Sequence, residues 1–213
     1  MSARLATGLA GIVMFALVGC ATPDKPVRAK LYDFGPGVSS AVSAAPAPSE
    51  ARPALVLAEI ESSSALDSSV LLYRLGYDDV HQLRPYANAR WSAPPPQLIR
   101  QRLREQLARD GPVLDLGESS GLARNAGAMP RVLRIEVEEF SHYFETPAQS
   151  WGVVRVRATL LDNTPAGERL LGQRSIVVRT PAPTPDAPGG VRALAAATDA
   201  AAEQIAQWLS QQR

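Results

Sequence analysis

Two stretches of this chain alternate residue by residue between apolar and polar side chains, and that period of two constrains the fold more than any other feature. In Val132–Glu138, Leu133, Ile135 and Val137 fall on one face, and Arg134, Glu136 and Glu138 on the other. In Val154–Leu160, Val154, Val156, Ala158 and Leu160 alternate with Arg155, Arg157 and Thr159. Successive side chains point to opposite faces only in a strand, so both stretches are predicted to be half-buried strands. Paired as an antiparallel hairpin, they set Glu136 and Glu138 opposite Arg157 and Arg155. Each such cross-strand pair contributes about 0.2–1 kcal/mol. Asp162–Gly167 reads as a turn and Leu170–Arg179 as the next strand, which gives a three-strand meander.

A sheet with one apolar face needs a cover. Two segments have helical spacing. In Gln97–Arg109, Ile99, Leu103 and Leu107 recur every four residues with Leu98 beside them, while Arg100, Arg102, Arg104, Glu105 and Arg109 fill the other faces. Pro94–Pro96 suits its start, where backbone N–H groups lack intrahelical partners, and Asp110-Gly111-Pro112 ends it. In Val191–Gln211, Val191, Leu194, Thr198, Ala201, Ile205 and Trp208 form one stripe bordered by Leu209. Further strands are expected at Ala54–Ile60, Val70–Leu75, Gln82–Ala87 and Val113–Leu116, with a short edge strand at Lys30–Phe34. Residues 117–130 fit neither period. Strands and helices mixed in this way define the α/β class.

The first twenty residues are of a different kind. Arg4 is followed by an uncharged apolar run from Leu5 to Val18, too short to span a bilayer, and then by Gly19 and Cys20. The run Leu17-Val18-Gly19-Cys20 resembles the bacterial lipobox. That resemblance implies diacylglyceryl transfer to the Cys20 thiol, cleavage before Cys20 and acylation (palmitate or a similar chain) of the new amine. Several acyl chains at one terminus hold a protein firmly on a membrane. Residues 1–19 are thus a lipoprotein signal peptide, 20–29 a tether, and 30–213 the domain, with a Pro/Ala-rich loop at 35–53. By resemblance to sorted lipoproteins, in which an Asp after the Cys favours inner-membrane retention, Ala21 implies the outer membrane.

Composition excludes several kinds of chemistry. With 22 Lys and Arg against 21 Asp and Glu, the net charge of +1 offers no bulk grip on nucleic acid. One Cys excludes a disulfide framework and a cysteine-rich zinc site, and two histidines, His81 and His142, leave little for a metal cluster. No P-loop or G-x-G-x-x-G run is present, so no cofactor is expected. Gly117-Glu-Ser-Ser-Gly121 fits the G-x-S-x-G nucleophile pattern. However, Gly127 and Pro130 interrupt the helix such an elbow launches, and no Asp lies between Ser119 and His142, the later histidine. The motif is read as a glycine-bordered turn and the chain as no enzyme. Glu136, Glu138 and Glu139 are read as a solvated strand face.

The distinctive residues lie between Ser62 and Leu107: Leu66 and Asp67, then Tyr73-Arg74, Tyr86, Arg90-Trp91, Pro94 and Leu98 leading into the helix. This order resembles the ABC-type transport auxiliary lipoprotein family. The resemblance implies a single Rossmann-like domain without nucleotide binding. It implies a periplasmic lipoprotein, lipid-anchored at Cys20 on the outer membrane. Its role would be to dock the conduit of an MCE-type ABC system for intermembrane lipid transport. The MCE-domain protein would be the direct partner and the permease and ATPase indirect ones; homo-oligomerisation is left open. A scaffold for envelope assembly or peptidoglycan attachment is the alternative, and an esterase using Ser119 a third. Tyr73, Arg74, Tyr86, Arg90 and Trp91 combine the aromatic and Arg types enriched at interface hot spots. Trp91 has a second reading, as a core side chain beneath the helix at 97–109.

Overall fold

The computed structural model describes residues 28–37, 53–115, 129–164 and 166–212. The signal peptide, Cys20, most of the Pro/Ala-rich loop and the Gly117–Gly121 motif lie outside the described residues. The strands are β1 (Lys30–Tyr32), β2 (Leu55–Leu57), β3 (Glu61–Ser62), β4 (Val70–Leu75), β5 (Asp79–Trp91), β6 (Val113–Leu114), β7 (Arg131–Phe144), β8 (Ser150–Thr164) and β9 (Gly167–Pro181). The helices among the described residues are α1 (Pro95–Leu107) and α2 (Ala187–Ser210), with a single 3₁₀ turn at Ser64–Leu66.

The spine of the sheet is β7. One edge pairs antiparallel with β8 along its length, and β8 pairs antiparallel with β9, which is the expected meander. The other edge pairs in succession with β2, β3 and β4, all parallel to β7. Beyond β2 lies β6, parallel to it; beyond β4 lies β5, antiparallel, and then β1, parallel to β5. The short strands β2, β3 and β4 act as one interrupted partner for a long one. The expected mixed sheet with an antiparallel C-terminal meander and two amphipathic helices is what the chain builds. The strands joined by α1 are β5 and β6, and the pairings make them antiparallel. That unit is therefore not the parallel strand–helix–strand crossover of a dinucleotide fold.

The alternation that identified the meander also fills its core. Leu133, Ile135 and Val137 of β7 meet Val154, Val156, Ala158 and Leu160 of β8 and Ile176 and Val178 of β9, all buried. Helix α2 lies over them with its predicted stripe, Val191, Leu194, Thr198, Ala201, Ile205, Trp208 and Leu209, each buried. Gly152 and Gly190 permit the close approach. A Cβ on Gly152 would lie 2.4 Å from the Ala193 carbonyl carbon, and one on Gly190 2.4 Å from His142 Nδ1. Helix α1 packs beside α2, and Leu98, Ile99, Leu103 and Leu107 join the same core. Val56, Ala58, Val132 and Leu161 form a second, smaller cluster on the opposite face of the sheet.

Several elements run further than the sequence pattern predicts. Strand β7 continues to Phe144 because the register shifts between Val137 and Glu139. A bulge adds one residue to one strand and so exchanges the two faces. Thereafter Phe140, His142 and Phe144 point into the core, out of phase with Leu133 and Ile135. The same bulge alters the charge pairs. Arg157 takes both carboxylates, Glu136 at 3.2 Å and Glu138, whereas Arg155 sits opposite Glu139 with no ion pair among the described residues. Helix α2 starts four residues before the predicted Val191. The four prolines of Thr180–Gly190 predict a loop there, but the Asp186 carboxylate accepts from Gly189 N at 2.8 Å and Pro188 fits the first turn, so Gly189 and Gly190 are helical. Strand β5 is 13 residues long and holds Pro85, with irregular register against β4 on either side of the Leu72–Tyr73 pairs.

Candidate partner-binding site

The five residues expected at a partner surface sit on two adjacent strands, β4 and β5. Tyr73 and Tyr86 come together because Leu72 pairs with Pro85 and Tyr73 with Arg84, and their ring centroids are 4.7 Å apart. Tyr73 also meets Phe144 at 6.0 Å, and Phe144 meets His142 at 4.4 Å. The Tyr86 ring stacks on His142 at 6.1 Å, and its hydroxyl is hydrogen-bonded to His142 Nδ1 at 2.8 Å. These four rings make an aromatic cluster beneath the first turn of α2, against Gly190.

Burial sets the electrostatics of that cluster. His142 is 0 % exposed, and its Nε2 has no hydrogen-bond partner among the described residues. Desolvation pushes the imidazole down to about 4, against the weaker opposing pull of the Asp186 carboxylate, so it is neutral at physiological pH. The Tyr86 phenol is pushed up, first by burial and then by Tyr73 and Asp186, and stays protonated. Asp186 is held below the usual carboxylate range, chiefly by the Thr184 hydroxyl and then by the Gly189 N–H, which keeps the helix cap charged. A neutral imidazole and a protonated phenol joined by one hydrogen bond form a packed structural pair. With the proton of the neutral imidazole on Nε2 the phenol donates to Nδ1, and with it on Nδ1 the ring donates to the phenol oxygen; both arrangements are uncharged.

The two arginines are held in place by the scaffold. Arg74 makes a two-pronged contact with Glu139, Nε–Oε1 at 3.0 Å and Nη2–Oε2 at 3.3 Å, and donates to the Val80 and His81 carbonyls. Glu139 also accepts from the Ser141 hydroxyl at 2.5 Å. Arg90 donates to the carbonyls of Tyr86 and, at 2.8 Å, of Ala89 on its own strand. Tyr73, Arg74, Tyr86 and Arg90 are half-buried and keep part of their surface in water. Trp91 is different. It is 1 % exposed, with Phe34 edge-on at 5.5 Å and Phe140 at 5.7 Å. Its burial supports the core reading.

Residues that the sequence did not single out complete the surroundings. Arg102 is buried where β1 meets the two helices. It pairs with Asp199 of α2 at 3.1 Å and donates to the carbonyls of Phe34 at 2.7 Å and Gly35 at 3.1 Å. Burial raises Asp199, and Arg102 opposes that rise. On the other side of α1, Arg100 and Arg104 converge on Asp115 at 2.5 and 2.7 Å, and Arg104 is the main cause of that carboxyl's lowered affinity for protons. Helical spacing hides both contacts, because it treats every arginine of α1 as solvated. A groove of about 380 Å³ runs between the end of β1 and α2, lined by Leu31, Tyr32, Phe34, Ser92, Val191 and Ala195 among others. Among the described residues, no three His, Cys, Asp or Glu side chains are grouped to hold a metal ion, and no helix is long and apolar enough to cross a membrane.

A mixed sheet carrying two helices defines an α/β domain whose fold resembles that of solved proteins. Protein XCC0632 of Xanthomonas campestris superimposes with a TM-score of 0.66 at 16% identity, covering 86% of this chain and 96% of its own. A second crystal structure, of an uncharacterized protein, gives 0.59 at 16% identity over 85% of this chain and 99% of its own. The hypothetical protein CT253 of Chlamydia trachomatis gives 0.48 at 8% identity over 75% and 96%. No curated protein matches the chain in sequence. The model of the ABC-type transport auxiliary lipoprotein component matches residues 37–206, and the chain belongs to that family. Membership implies a membrane-anchored place in the cell envelope and association with an ABC transport system.

Proposed function

We propose that this chain is a non-enzymatic periplasmic lipoprotein, anchored at Cys20 to the outer membrane, that docks the conduit of an MCE-type ABC lipid transport system. The observation that carries this reading is the family match across residues 37–206 in a chain whose first twenty residues resemble a lipoprotein leader with its lipobox. The tether at 20–29 and the domain at 30–213 then divide the labour, one fixing the protein to the membrane and the other offering a surface.

The docking surface is proposed at the β4–β5 pair, through Tyr73, Arg74, Tyr86 and Arg90, with Trp91 supporting it from the core. Strand β1 pairs only with Ala89–Trp91 of β5, so the edge from Asp79 to Asn88 carries no neighbouring strand among the described residues. An open edge beside half-buried aromatics and fixed arginines suits an extended partner segment. Ala87 and Asn88 are exposed between Tyr86 and Arg90. A photo-crosslinking amino acid at either position is expected to capture an MCE-domain protein in the native host. Capture of only peptidoglycan-bound or assembly proteins would instead favour an envelope scaffold and refute this docking site.

A further inference from the structure

The chain enters the sheet from one end. Strands β1 and β5 are parallel, with Lys30 beside Ala89 and Tyr32 beside Trp91. The chain therefore reaches Lys30 from the side on which β5 begins, at Asp79. That side is where β4 and β7 finish, since Leu75 pairs with both Asp79 and Phe144. It is also where β8 begins and β9 ends, since Phe144 pairs with Ser150 and Trp151 with Pro181. One end of the sheet is thus made of the β4–β5 turn, the β7–β8 turn and the end of β9.

The length of the tether lets that end reach the membrane. Ten residues separate Cys20 from Lys30 and span at most about 35 Å when extended. The level of Lys30 lies near Val70, which pairs with Arg90, and the end of β4 at Leu75 is five residues away, about 17 Å along the sheet. The acylated terminus can therefore stand beyond this end or draw the end onto the bilayer.

The side chains there are of the kinds that settle at a membrane–water boundary. Arg179 Cζ lies 5.3 Å from both the Tyr143 and Trp151 ring centroids. It is exposed and has no carboxylate partner among the described residues. The Tyr143 hydroxyl reaches across Gly76, where a Cβ would lie 2.0 Å from it, so the ring pair continues into the turn. Tyr77 in that turn is 48% exposed and Val80, the second residue of β5, 45%. Of the nearby acids, Glu145 accepts from Trp151 Nε1 at 3.1 Å, Asp78 pairs with Arg84 at 2.6 Å and Asp79 accepts from the His81 N–H at 2.9 Å. Trp and Tyr rings with an apolar body and a polar tip belong at the headgroup level, with Arg beside them.

We propose that this end of the sheet, through Tyr77, Val80, Tyr143, Trp151 and Arg179, rests on the phospholipid headgroups of the membrane that holds the Cys20 lipid. The proposal rests on acylation of Cys20 and goes beyond it by giving the anchored domain an orientation. The docking edge of β5 then stands upright on the bilayer.

The chain carries its own reporter. Its other tryptophans, Trp91 and Trp208, are 1% and 6% exposed, so a membrane-borne quencher reads Trp151. The acylated protein, its Cys20 modification verified by mass spectrometry, is reconstituted in phosphatidylethanolamine–phosphatidylglycerol vesicles brominated near the head of the acyl chain. Quenching is expected, it disappears in Trp151→Phe, and it falls several-fold in Arg179→Glu. Acylated, vesicle-bound protein whose Trp151 is unquenched and still open to aqueous iodide would overturn the orientation while leaving the anchor standing. Protection of Trp151 from iodide only when a partner protein is added would overturn it in favour of a protein contact. Unmodified Cys20 would overturn both.

Discussion

Replacing Trp91 by Ala separates a core side chain from a binding one. The indole sits at the end of β5, 1% exposed, against Phe34 and Phe140, and its backbone N–H donates to Ser69 O at 2.8 Å. A buried Trp removes about 200 Å² from water, and at about 25 cal/mol per Å² that is close to 5 kcal/mol. Alanine keeps a small part of this, and partial collapse of the cavity returns some more. The expected loss is about 4 kcal/mol, within the range of about 3–5 kcal/mol for such truncations. With a urea m-value of about 2 kcal/mol/M for a domain of this size, the midpoint falls by about 2 M. Equilibrium urea unfolding followed by far-ultraviolet circular dichroism reads that shift. Trp91→Phe keeps a ring against Phe34 and loses less. At low temperature, where the variant stays folded, partner capture persists. A loss below about 1 kcal/mol together with abolished partner binding would refute the reasoning and return Trp91 to the interface.

Two other perturbations test the polar contacts inside the fold. His142 titrates near 6.5 when unfolded and near 4 in the native state, so the unfolded chain binds more protons between those values. Stability is full above about pH 6.5 and is lost as pH falls towards 4, by about 3 kcal/mol from this group. The slope of unfolding free energy against pH over that window should be smaller in His142→Asn than in the parent. Arg102→Met leaves the half-buried Asp199 and the Phe34 and Gly35 carbonyls without their shared donor. A loss of about 3–5 kcal/mol is expected in urea unfolding, with Arg102→Lys recovering only part, because one ammonium does not reach all three.

How much of this was readable in advance depended on whether a residue's environment is set locally. The meander and the buried stripe of α2 were legible because Leu133, Ile135, Val154, Val156, Leu194 and Ile205 each obey the period of their own element. The span of β7 beyond Val137 was not, since one bulge exchanges the faces and makes Phe140, His142 and Phe144 look aperiodic. The start of α2 was hidden because Thr180–Gly190, with four prolines, reads as a loop until the Asp186 cap is seen. The family-bearing residues were legible as a set, yet their roles diverged. Trp91 went to the core, Arg90 to its own strand's carbonyls and Arg74 to Glu139, a partner sixty-five positions away. The patch at Tyr143, Trp151 and Arg179 gave no local signal, because its members come from three strands and meet only through register.

The role in transport is tested most directly by purifying the acylated protein from its native host in mild detergent and sequencing what accompanies it by mass spectrometry. The account predicts an MCE-domain protein together with its permease or ATPase, reduced in variants altered at Ala87 or Asn88 beside the docking edge. Recovery of peptidoglycan-linked or assembly proteins, with no MCE-domain protein, would contradict it and leave the family resemblance as shared fold and anchor alone.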